Sequence, residues 1–383
     1  MKIGIITLWQ SQDNYGQQLQ AWALQEYLRK EGHSPFLIRY DFVGNRRKTP
    51  WYRKLVKVFL LYPIFRKIKR EFQNKRQTIH VEETNKLRKF DDFKQEHLFF
   101  SSCKYQSLKE LRSNPPVADI YITGSDQVWA QLLDFEDNKA FFLDFGKESV
   151  RRISYAASFS MTSYPEKLLP LLKSQLLHFN HVSVREETGV SICESVGINA
   201  IKVLDPTLLL DKQIYMNLMS EHQHKKPYIF IYSINIASPK EIAWDDLKHY
   251  AQIRQNEIVV TTASGYITGQ EILDGVSYDY ATIPQWLTNM ANADLVVTPS
   301  FHGIVFSILM ETPFIYVPLQ GKFSKGNSRI TDLLYNLGLD NRILAPQRTY
   351  SAIANQPIDW EKVRNKLNTY RTISIQFLKE ALS

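Results

Sequence analysis

The chain has 383 residues and a formal net charge of +8, and 44% of its residues are hydrophobic and 13% aromatic. This length fits two domains of ordinary size, and the composition excludes a disordered chain. Cys103 and Cys193 form no CxxC or Cys/His pattern, so the sequence supports neither a disulfide framework nor a zinc site. It also contains no secretion signal and no run of about 18 apolar residues. We therefore expect a globular protein of the reducing cytoplasm, with no metal site.

The positive charge is concentrated in one segment. Residues 46–76 contain 12 Lys/Arg and one acidic residue, whereas the rest of the chain has 35 Lys/Arg and 38 Asp/Glu. Aromatic and aliphatic residues alternate with these charges, which is typical of a surface that binds anionic lipid headgroups. A solvated basic helix that packs on the domain is the alternative. No nucleic-acid-binding module surrounds the segment, so nucleic acid is not an expected partner.

The first part of the chain alternates between strand-like and helical patterns. A strand over residues 3–8 precedes an amphipathic helix over 17–30, and a polar helical stretch covers 82–97. Further strands are predicted at 118–123, 153–159, 182–184 and 201–204. We assign residues 1–222 to an N-terminal α/β domain that carries a basic insertion at about 44–80.

A second series begins after the polar break at residues 225–227. Strands are predicted at 228–232, 258–261, 295–298 and 314–317. The alternation predicts a second α/β domain over 223–383, with mostly parallel sheets and functional loops at the carboxyl ends of the strands. The cleft between the domains is the expected site. The final helical pattern, 360–382, either closes the second domain or crosses back to the first.

The most informative stretch runs from Asp294 to Met310. A buried strand ends at Thr298, Ser300 and His302 follow in a tight turn, and Gly303 allows close backbone approach before an apolar helix. A helix start offers N–H groups to an anion, and an imidazole transfers protons near neutral pH. The alternative is a structural histidine that caps the helix or makes a satisfied polar contact.

Two further groups of cations are candidate anion ligands. Arg185 follows the predicted strand at 182–184, where its guanidinium suits a carboxylate or phosphate, although a salt bridge to Glu186 or Glu187 is the structural alternative. A loop before the helix predicted at 330–337 adds three more cations and several small polar residues. An exposed basic loop, with a helix cap supplied by one of its polar residues, is the alternative there. The candidate residues of this loop are Lys322, Lys325, Asn327, Ser328 and Arg329.

The N-terminal domain supplies candidate acceptor-side residues at the ends of two strands. They are Asn14 and Tyr15 after the first strand, and Ser125, Asp126, Gln127 and Trp129 after the strand at 118–123. Gly-Ser-Asp is also ordinary turn chemistry. Trp129 and Trp9 are potential platforms for a sugar ring, although tryptophan more often packs in the core.

Taken together, these stretches resemble the polysaccharide pyruvyltransferase family over roughly residues 1–345. The motifs that carry the resemblance are Asn14-Tyr15-Gly16, Gly124-Ser125-Asp126-Gln127-Val128-Trp129, Ser183-Val184-Arg185-Glu186, Asp205-Pro206-Thr207, Ser300-Phe301-His302-Gly303 and Asn327-Ser328-Arg329-Ile330. The resemblance implies two Rossmann-like domains in a GT-B-like arrangement, with the active site in the interdomain cleft and phosphoenolpyruvate held mainly by the second domain. It implies no cofactor or metal.

The resemblance also suggests roles for individual residues. Arg185 and His302 belong to the implied donor site, with Lys322 or Lys325 as a further cation. Many relatives carry Arg-Leu before this histidine, and this chain has Ser300-Phe301 instead, which gives more weight to Arg185, Lys325 and Arg329. Our hypothesis is that His302 carries the proton and that Asp126 acts on the acceptor hydroxyl.

The reaction implied by the resemblance moves a pyruvyl group onto sugar hydroxyls of a surface polysaccharide precursor, forms a ketal and releases phosphate. The implied acceptor is lipid-linked, so residues 46–76 are expected to hold the enzyme peripherally on the inner face of the membrane. Two alternatives remain open. One is a GT-B glycosyltransferase that uses a nucleotide sugar, and the other is a non-catalytic module that binds an anionic ligand or glycan.

Overall fold

Two parallel sheets, one in each half of the chain, organise the protein. The computed structural model describes residues 1–41, 80–130, 132–263 and 271–383, apart from the side chain of Lys325. The first sheet has the strand order β3-β2-β1-β4-β5. Its strands are β1 (Lys2–Ile6), β2 (Ser34–Tyr40), β3 (Phe100–Tyr105), β4 (Ile120–Thr123) and β5 (Arg151–Ser154). A short parallel pair, β6 (Ser183–Val184) and β7 (Ile201–Lys202), continues this sheet beyond β5 through bridges from Ile153 to His181 and from Ala157 to Val184.

Helices cover this first sheet. The longest, α1 (Tyr15–Lys30), begins where the Asn14 side chain accepts a hydrogen bond from Gln17 N, and it buries an apolar face in the core. Residues 80–88 are also helical. The remaining helices of this half are α2 (Phe90–His97), α3 (Leu108–Ser113), α4 (Leu169–Leu176), α5 (Glu187–Ser195) and α6 (Lys212–Met216), with 3₁₀ turns at Val128–Ala130, Glu136–Phe142, Glu166–Leu168 and Pro206–Leu208.

The second sheet repeats the topology of the first, with the order β10-β9-β8-β11-β12. Its strands are β8 (Tyr228–Ile234), β9 (Glu257–Ala263), β10 (Ser277–Tyr278), β11 (Leu295–Thr298) and β12 (Phe314–Tyr316). Its helices are α7 (Trp244–Arg254), α8 (Ile283–Asn292), α9 (Phe301–Met310), α10 (Ser328–Leu337), α11 (Tyr350–Ala354) and α12 (Trp360–Leu382), with 3₁₀ turns at Pro239–Ile242, Gly321–Asn327 and Asp340–Arg342. All strand pairs in both sheets are parallel, so the loops at the carboxyl ends gather at one edge of each sheet.

The last helix, α12, packs on both halves of the chain. Near its start Val363 and Leu367 lie in the core with the second sheet's helices. Farther along, Arg371 Nε donates to Leu208 O at 2.8 Å and Ser374 Oγ accepts from Leu204 N at 2.9 Å. The helix therefore crosses back to the first half. The main connection between the sheets lies at residues 217–227, between α6 and β8.

Backbone conformation explains two differences from the predicted elements. The strand predicted at 153–159 ends as β5 at Ser154, because Ala156 has a left-handed φ of 53° that an extended strand does not allow. The helical stretch predicted at 82–97 is interrupted at Lys89, which has a φ of 49°. The predicted basic residues 46–76 lie outside the described residues. Within the described parts of the chain, no helix has the length and apolarity needed to cross a bilayer.

Candidate active site

The loops after four parallel strands meet where the two halves of the chain face each other. β4 and the pair β6 and β7 deliver Ser125, Arg185 and Asp205 from the first half. β11 delivers His302 on the first turn of α9 from the second half. Their side chains are in contact, so the strand ends predicted to form a cleft site do converge.

A buried carboxylate, Asp205, is the centre of this cluster. Its Oδ2 accepts from Ser125 Oγ at 2.8 Å and from Arg185 Nη1 at 3.0 Å, and it lies 3.5 Å from His302 Nε2. Its Oδ1 accepts from the Thr207 backbone N–H at 3.0 Å and the Thr207 hydroxyl at 2.6 Å. Burial alone would raise the pKa of this carboxyl, but His302, Arg185 and Thr207 outweigh burial and hold the pKa well below its usual range. Asp205 is therefore a permanent anion that can orient both the Arg185 guanidinium and the His302 imidazole.

Two glycines allow close packing at the turn that carries His302, Gly16 against its imidazole and Gly303 against Thr298. A Cβ on Gly16 would lie 2.2 Å from His302 Cγ, and one on Gly303 would lie 2.6 Å from Thr298 Oγ1. Ser300 starts the helix by accepting from Gly303 N at 3.3 Å. The imidazole is thus inserted against the first half of the chain. Its buried Nε2 faces Asp205 Oδ2 at 3.5 Å and has no other partner among the described residues.

Two guanidinium groups flank the ring of Phe301. Arg185 Cζ lies 4.4 Å from the ring centroid and Arg329 Cζ lies 5.8 Å from it. Burial lowers the pKa of Arg329 to about 10, and the like charge of Arg185 adds to this effect, so Arg329 is still protonated at neutral pH. Among the described residues, no hydrogen-bond acceptor reaches Arg185 Nε, Arg185 Nη2 or Arg329 Nε. Buried N–H groups without acceptors are rare in folded proteins, and here three of them lie beside His302.

Acidic and amide groups complete the surroundings of the arginines. Glu186 Oε2 lies 4.0 Å from Arg185 Nε, so the predicted salt-bridge partner is near but too far for a hydrogen bond. When the Gln127 amide oxygen faces Arg329, it accepts from Nη2 at 2.8 Å and Nη1 at 2.5 Å. The charge of Asp126 favours the protonated form of Arg329, which places this carboxylate near the same guanidinium. Asp126 itself has a left-handed φ of 79°.

An open cleft of about 530 Å³ borders this cluster. It is lined by Gln127 and Ser160 from the first half and by Asn235, Lys322 and Arg329 from the second. A much smaller cavity of about 40 Å³ lies on the side of Arg185, Phe301 and Tyr370. Arg329 lines both spaces. It therefore belongs to the guanidinium cluster and also to the wall of the open cleft.

Three residues that were predicted to bind the acceptor instead make stacking contacts or hydrogen bonds with other residues of the chain. Trp129 is fully buried, stacks on Phe142 at 5.2 Å and donates to Phe141 O. Tyr15 is also fully buried; its ring stacks on Trp286 and its hydroxyl donates to Ala281 O at 2.7 Å. The Asn14 side chain caps α1. These positions correct the prediction that Trp129 and Tyr15 face an acceptor, and Asn14 has a structural role as a cap.

The loop that ends at Arg329 also supplies fewer donor-binding residues than the sequence predicted. The Asn327 amide accepts from Tyr316 OH and Leu319 N and donates to Leu319 O, so it fastens the loop and is not open to a donor. Ser328 begins α10. Lys322 is exposed at the cleft, with its ammonium 4.9 Å from the centroid of the Phe323 ring. The Lys325 side chain lies outside the described part of the structure. Arg185, His302 and Arg329 are therefore the predicted donor residues that the fold brings together, with Ser300 and Gly303 shaping the helix start.

Two residues of the cluster were absent from the predicted site. Asp205 stood only in the motif Asp205-Pro206-Thr207, although a carboxylate directly after a strand-like run was a usable signal. Gly16 stood in Asn14-Tyr15-Gly16, but its contact with His302, 286 positions away, depends on how the halves dock.

Two Rossmann-like domains whose strand ends face each other across a cleft define a GT-B-like protein, which confirms the predicted fold class. UDP-N-acetylglucosamine 2-epimerase from Rickettsia bellii superposes with a TM-score of 0.52 at 10% identity, over 100% of this chain and 95% of that one. The calicheamicin glycosyltransferase CalG4 gives a TM-score of 0.44 at 14% identity, over 99% and 96%. At these identities the similarity concerns the fold alone.

The sequence itself identifies the family. The model of the polysaccharide pyruvyl transferase family matches residues 14–320, which is most of the chain. The chain belongs to this family, which is one of transferases, and the predicted resemblance is confirmed. A comparison with proteins of curated function gave no significant match.

Proposed function

We propose that this protein transfers the pyruvyl group of phosphoenolpyruvate to a sugar of a polysaccharide precursor. The observation that supports the proposal best is the set of buried guanidinium nitrogens without acceptors on Arg185 and Arg329, in the cluster that also contains His302. A small ligand with two anionic groups, a carboxylate and a phosphate, supplies the acceptor oxygens that these donors lack. Forked guanidinium groups suit both anions.

The chemistry of phosphoenolpyruvate explains why an imidazole is needed beside the arginines. The enol carbon C2 becomes electrophilic when the methylene carbon C3 is protonated, and His302 provides this proton. The Asp205 carboxylate lies 3.5 Å from Nε2 and orients the imidazole. One sugar hydroxyl then adds at C2 and loses its proton, and a carbon–oxygen bond forms. The oxygen of a second hydroxyl of the same sugar then bonds to C2 as the bond from C2 to the phosphate oxygen breaks. The proton of that hydroxyl returns to His302, phosphate leaves with the proton that the first hydroxyl lost, and the cyclic ketal is closed.

The acceptor hydroxyl needs a base, and the proposal assigns this role to Asp126. Asp126 directly precedes Gln127, whose amide binds Arg329, and its charge acts on the same guanidinium. Arg185 and Arg329 hold the donor in reacting geometry. The proposal calls for no cofactor, and phosphate release that persists in excess EDTA is the expected result for a reaction without a metal.

Thermal stabilisation of the purified protein tests the choice of donor. A ligand that binds only the native state raises the melting temperature, so phosphoenolpyruvate at 100 times its Kd adds about 2.7 kcal/mol. We expect this stabilisation in the wild type and its loss in Arg185→Met and Arg329→Met. UDP-glucose and UDP-N-acetylglucosamine are the controls. Stabilisation by a nucleotide sugar and not by phosphoenolpyruvate would instead favour a GT-B glycosyltransferase, and stabilisation by phosphoenolpyruvate without phosphate release for any acceptor would favour a binding module.

The proposal extends to a lipid-linked acceptor at the inner face of the membrane. Its support is the charge of residues 46–76, where 12 Lys/Arg occur with one acidic residue. Each Lys or Arg near an anionic leaflet contributes about 1 kcal/mol of attraction, so such a segment suffices to concentrate the enzyme where its acceptor is.

A further inference from the structure

The helix that follows Arg185 is not capped by its own N-cap residue. This residue is Glu186, directly before α5 (Glu187–Ser195), and in the part of the chain that the structure describes its side chain makes no capping hydrogen bond. The first N–H groups of a helix have no partner within it, and an N-cap side chain usually accepts from one of them. The start of α5 therefore needs an acceptor from elsewhere.

The carboxylate of Glu186 binds a neighbouring turn instead of the helix. Its Oε1 accepts from Ser158 Oγ at 2.8 Å, from the Phe159 N–H at 3.0 Å and from the Ser160 N–H at 3.1 Å. Glu186 is only 1% exposed, so these donors replace the water that a carboxylate would otherwise bind. The bonds fasten Arg185 and Glu186 to the first domain and leave the N–H groups of α5 to another residue.

Asp332 of the second domain supplies the missing acceptor. It lies on α10, and its Oδ2 accepts from the Glu187 backbone N–H at 3.2 Å. The two helices are in contact. Lys202 pairs with the Glu187 carboxylate at 2.8 Å, which offsets the repulsion between Glu187 and Asp332. A negative charge at a helix N-terminus is also favoured by the helix dipole. The start of α5 is thus capped from across the domain boundary.

This cap joins the two segments that carry the donor-site arginines. Arg185 lies two residues before Glu187, and Arg329 lies one helical turn before Asp332. The two guanidinium groups flank the ring of Phe301, at 4.4 Å and 5.8 Å from its centroid, and their like charges repel each other. Arg185, Arg329 and Asp332 also line the same cavity of about 40 Å³. A contact that holds α10 against α5 opposes the repulsion.

We propose that Asp332 is a positioning residue of the donor site, which sets the separation of Arg185 and Arg329 by capping α5 from the opposite domain. The inference rests on the proposed function, because the donor is the anion that both arginines bind. Without the cap, donor binding itself must bring the two guanidinium groups together, and affinity falls by that cost. Proton transfer by His302 is a separate step, so the effect belongs to KM and not to kcat.

Hydrogen exchange and donor binding test the cap together. Asp332→Ala removes the acceptor without weakening α10, because alanine is the better helix former, whereas Asp332→Asn keeps an acceptor oxygen. In Asp332→Ala we expect the amides at the start of α5 to exchange about fivefold faster, and the Kd and KM for phosphoenolpyruvate to rise about fivefold with kcat within about a factor of two. Asp332→Asn should recover most of the affinity. Tyr335→Ala, at a 63% exposed position of α10, is the control and should match the wild type.

Inorganic phosphate, as a second probe, separates failure of this inference from failure of the proposed function. Unchanged exchange in Asp332→Ala, or faster exchange with unchanged affinity for phosphoenolpyruvate, overturns the positioning role alone. An equal loss of affinity in Tyr335→Ala overturns it too, since any change on α10 would then suffice. If the wild type binds phosphate but not phosphoenolpyruvate, and Asp332→Ala weakens phosphate binding about fivefold, the positioning role stands and the proposed donor is wrong. Binding of neither anion by the wild type removes both.

Discussion

The imidazole of His302 packs directly against the backbone of Gly16, a residue of the other domain. A Cβ at Gly16 would lie 2.2 Å from both Cγ and Nδ1 of the ring. Gly16 belongs to α1 and His302 to α9, so the catalytic candidate is positioned by the contact between these helices. The site is therefore complete only when the two domains are docked.

Gly16→Ala tests this contact. The added methyl cannot fit beside the imidazole, so we expect His302 to shift, the free energy of unfolding to fall by about 1–3 kcal/mol and phosphate release to fall by about 100-fold. Denaturant unfolding and a phosphate-release assay measure the two effects. Gly326→Ala is the control for stability, because its Cβ would meet nothing closer than 3.7 Å. Normal activity in Gly16→Ala would show that His302 does not need this packing.

His302→Ala should abolish phosphate release while the protein stays folded. Loss of a proton-transferring group reduces rates by about 100-fold to 10,000-fold, and a side chain at the domain interface can be shortened without breaking either sheet. His249→Ala, on the exposed face of α7, is the matched control and should keep full activity. A folded His302→Ala protein with wild-type turnover would remove the proposed role.

Asp205→Asn should reveal a pH-dependent contribution to stability. The folded-state pKa of Asp205 lies below its usual range, so its contribution is complete above about pH 4 and is lost as the pH falls toward the folded value. At pH 7 we expect a loss of about 3–5 kcal/mol, because the substitution leaves Arg185 without its counter-ion. The difference from the wild type should shrink below pH 4. Denaturant unfolding at several pH values measures it.

Asp211→Asn is the control for that experiment. Its carboxylate is 81% exposed and 3.7 Å from Arg371, so the loss should stay below about 1 kcal/mol. A loss for Asp205→Asn that is equally small, or that does not change with pH, would contradict the role of Asp205 as the buried anion.

Tyr15→Phe should weaken the docking of the domains and leave the stacking in place. The hydroxyl donates to Ala281 O and accepts from Arg88 Nη1 at 2.6 Å, and Arg88 also reaches Thr262 Oγ1 at 3.3 Å. Its removal leaves buried polar groups unpaired, which costs about 1–3 kcal/mol. Tyr335→Phe is the control, since Tyr335 is 63% exposed. Equal stability of both variants would show that this hydrogen-bond network does not hold the domains together.

Neutralising the basic segment tests the proposed membrane contact. Replacing six of the Lys/Arg within residues 46–76 by Gln should strongly reduce sedimentation with vesicles that contain phosphatidylserine, because attraction of the anionic surface adds over the charges. Turnover on a soluble sugar acceptor should not change. Unaltered vesicle binding would refute the proposal, and vesicles of neutral phosphatidylcholine serve as the control surface.

Local sequence patterns located nine of the twelve described strands, whereas β2, β3, β10 and several short helices were not predicted. The strand at 295–298 and the helix at 360–382 have the predicted bounds, and the other predicted elements differ at their ends. Hydrophobic periodicity reports which face of a segment is buried, so it locates elements well. It does not report single left-handed residues such as Ala156, which shortened one predicted strand.

The site was predictable only in part, for a related reason. Arg185 and His302 follow strand-like runs, and parallel topology brings such strand ends together. The burial of Trp129, the hydrogen bonds of Tyr15 and the contact of Gly16 with His302 depend on packing between distant segments. No periodicity within a segment contains that information.

The return of α12 to the first domain limits how the enzyme can open. Besides the connection at residues 217–227, the chain passes between the domains a second time along this helix, where Arg371 and Ser374 bond to Leu208 and Leu204. Two crossings restrain the relative motion of the domains more than a single linker would. Removing the final helix would therefore leave the two lobes joined by one strand of chain alone.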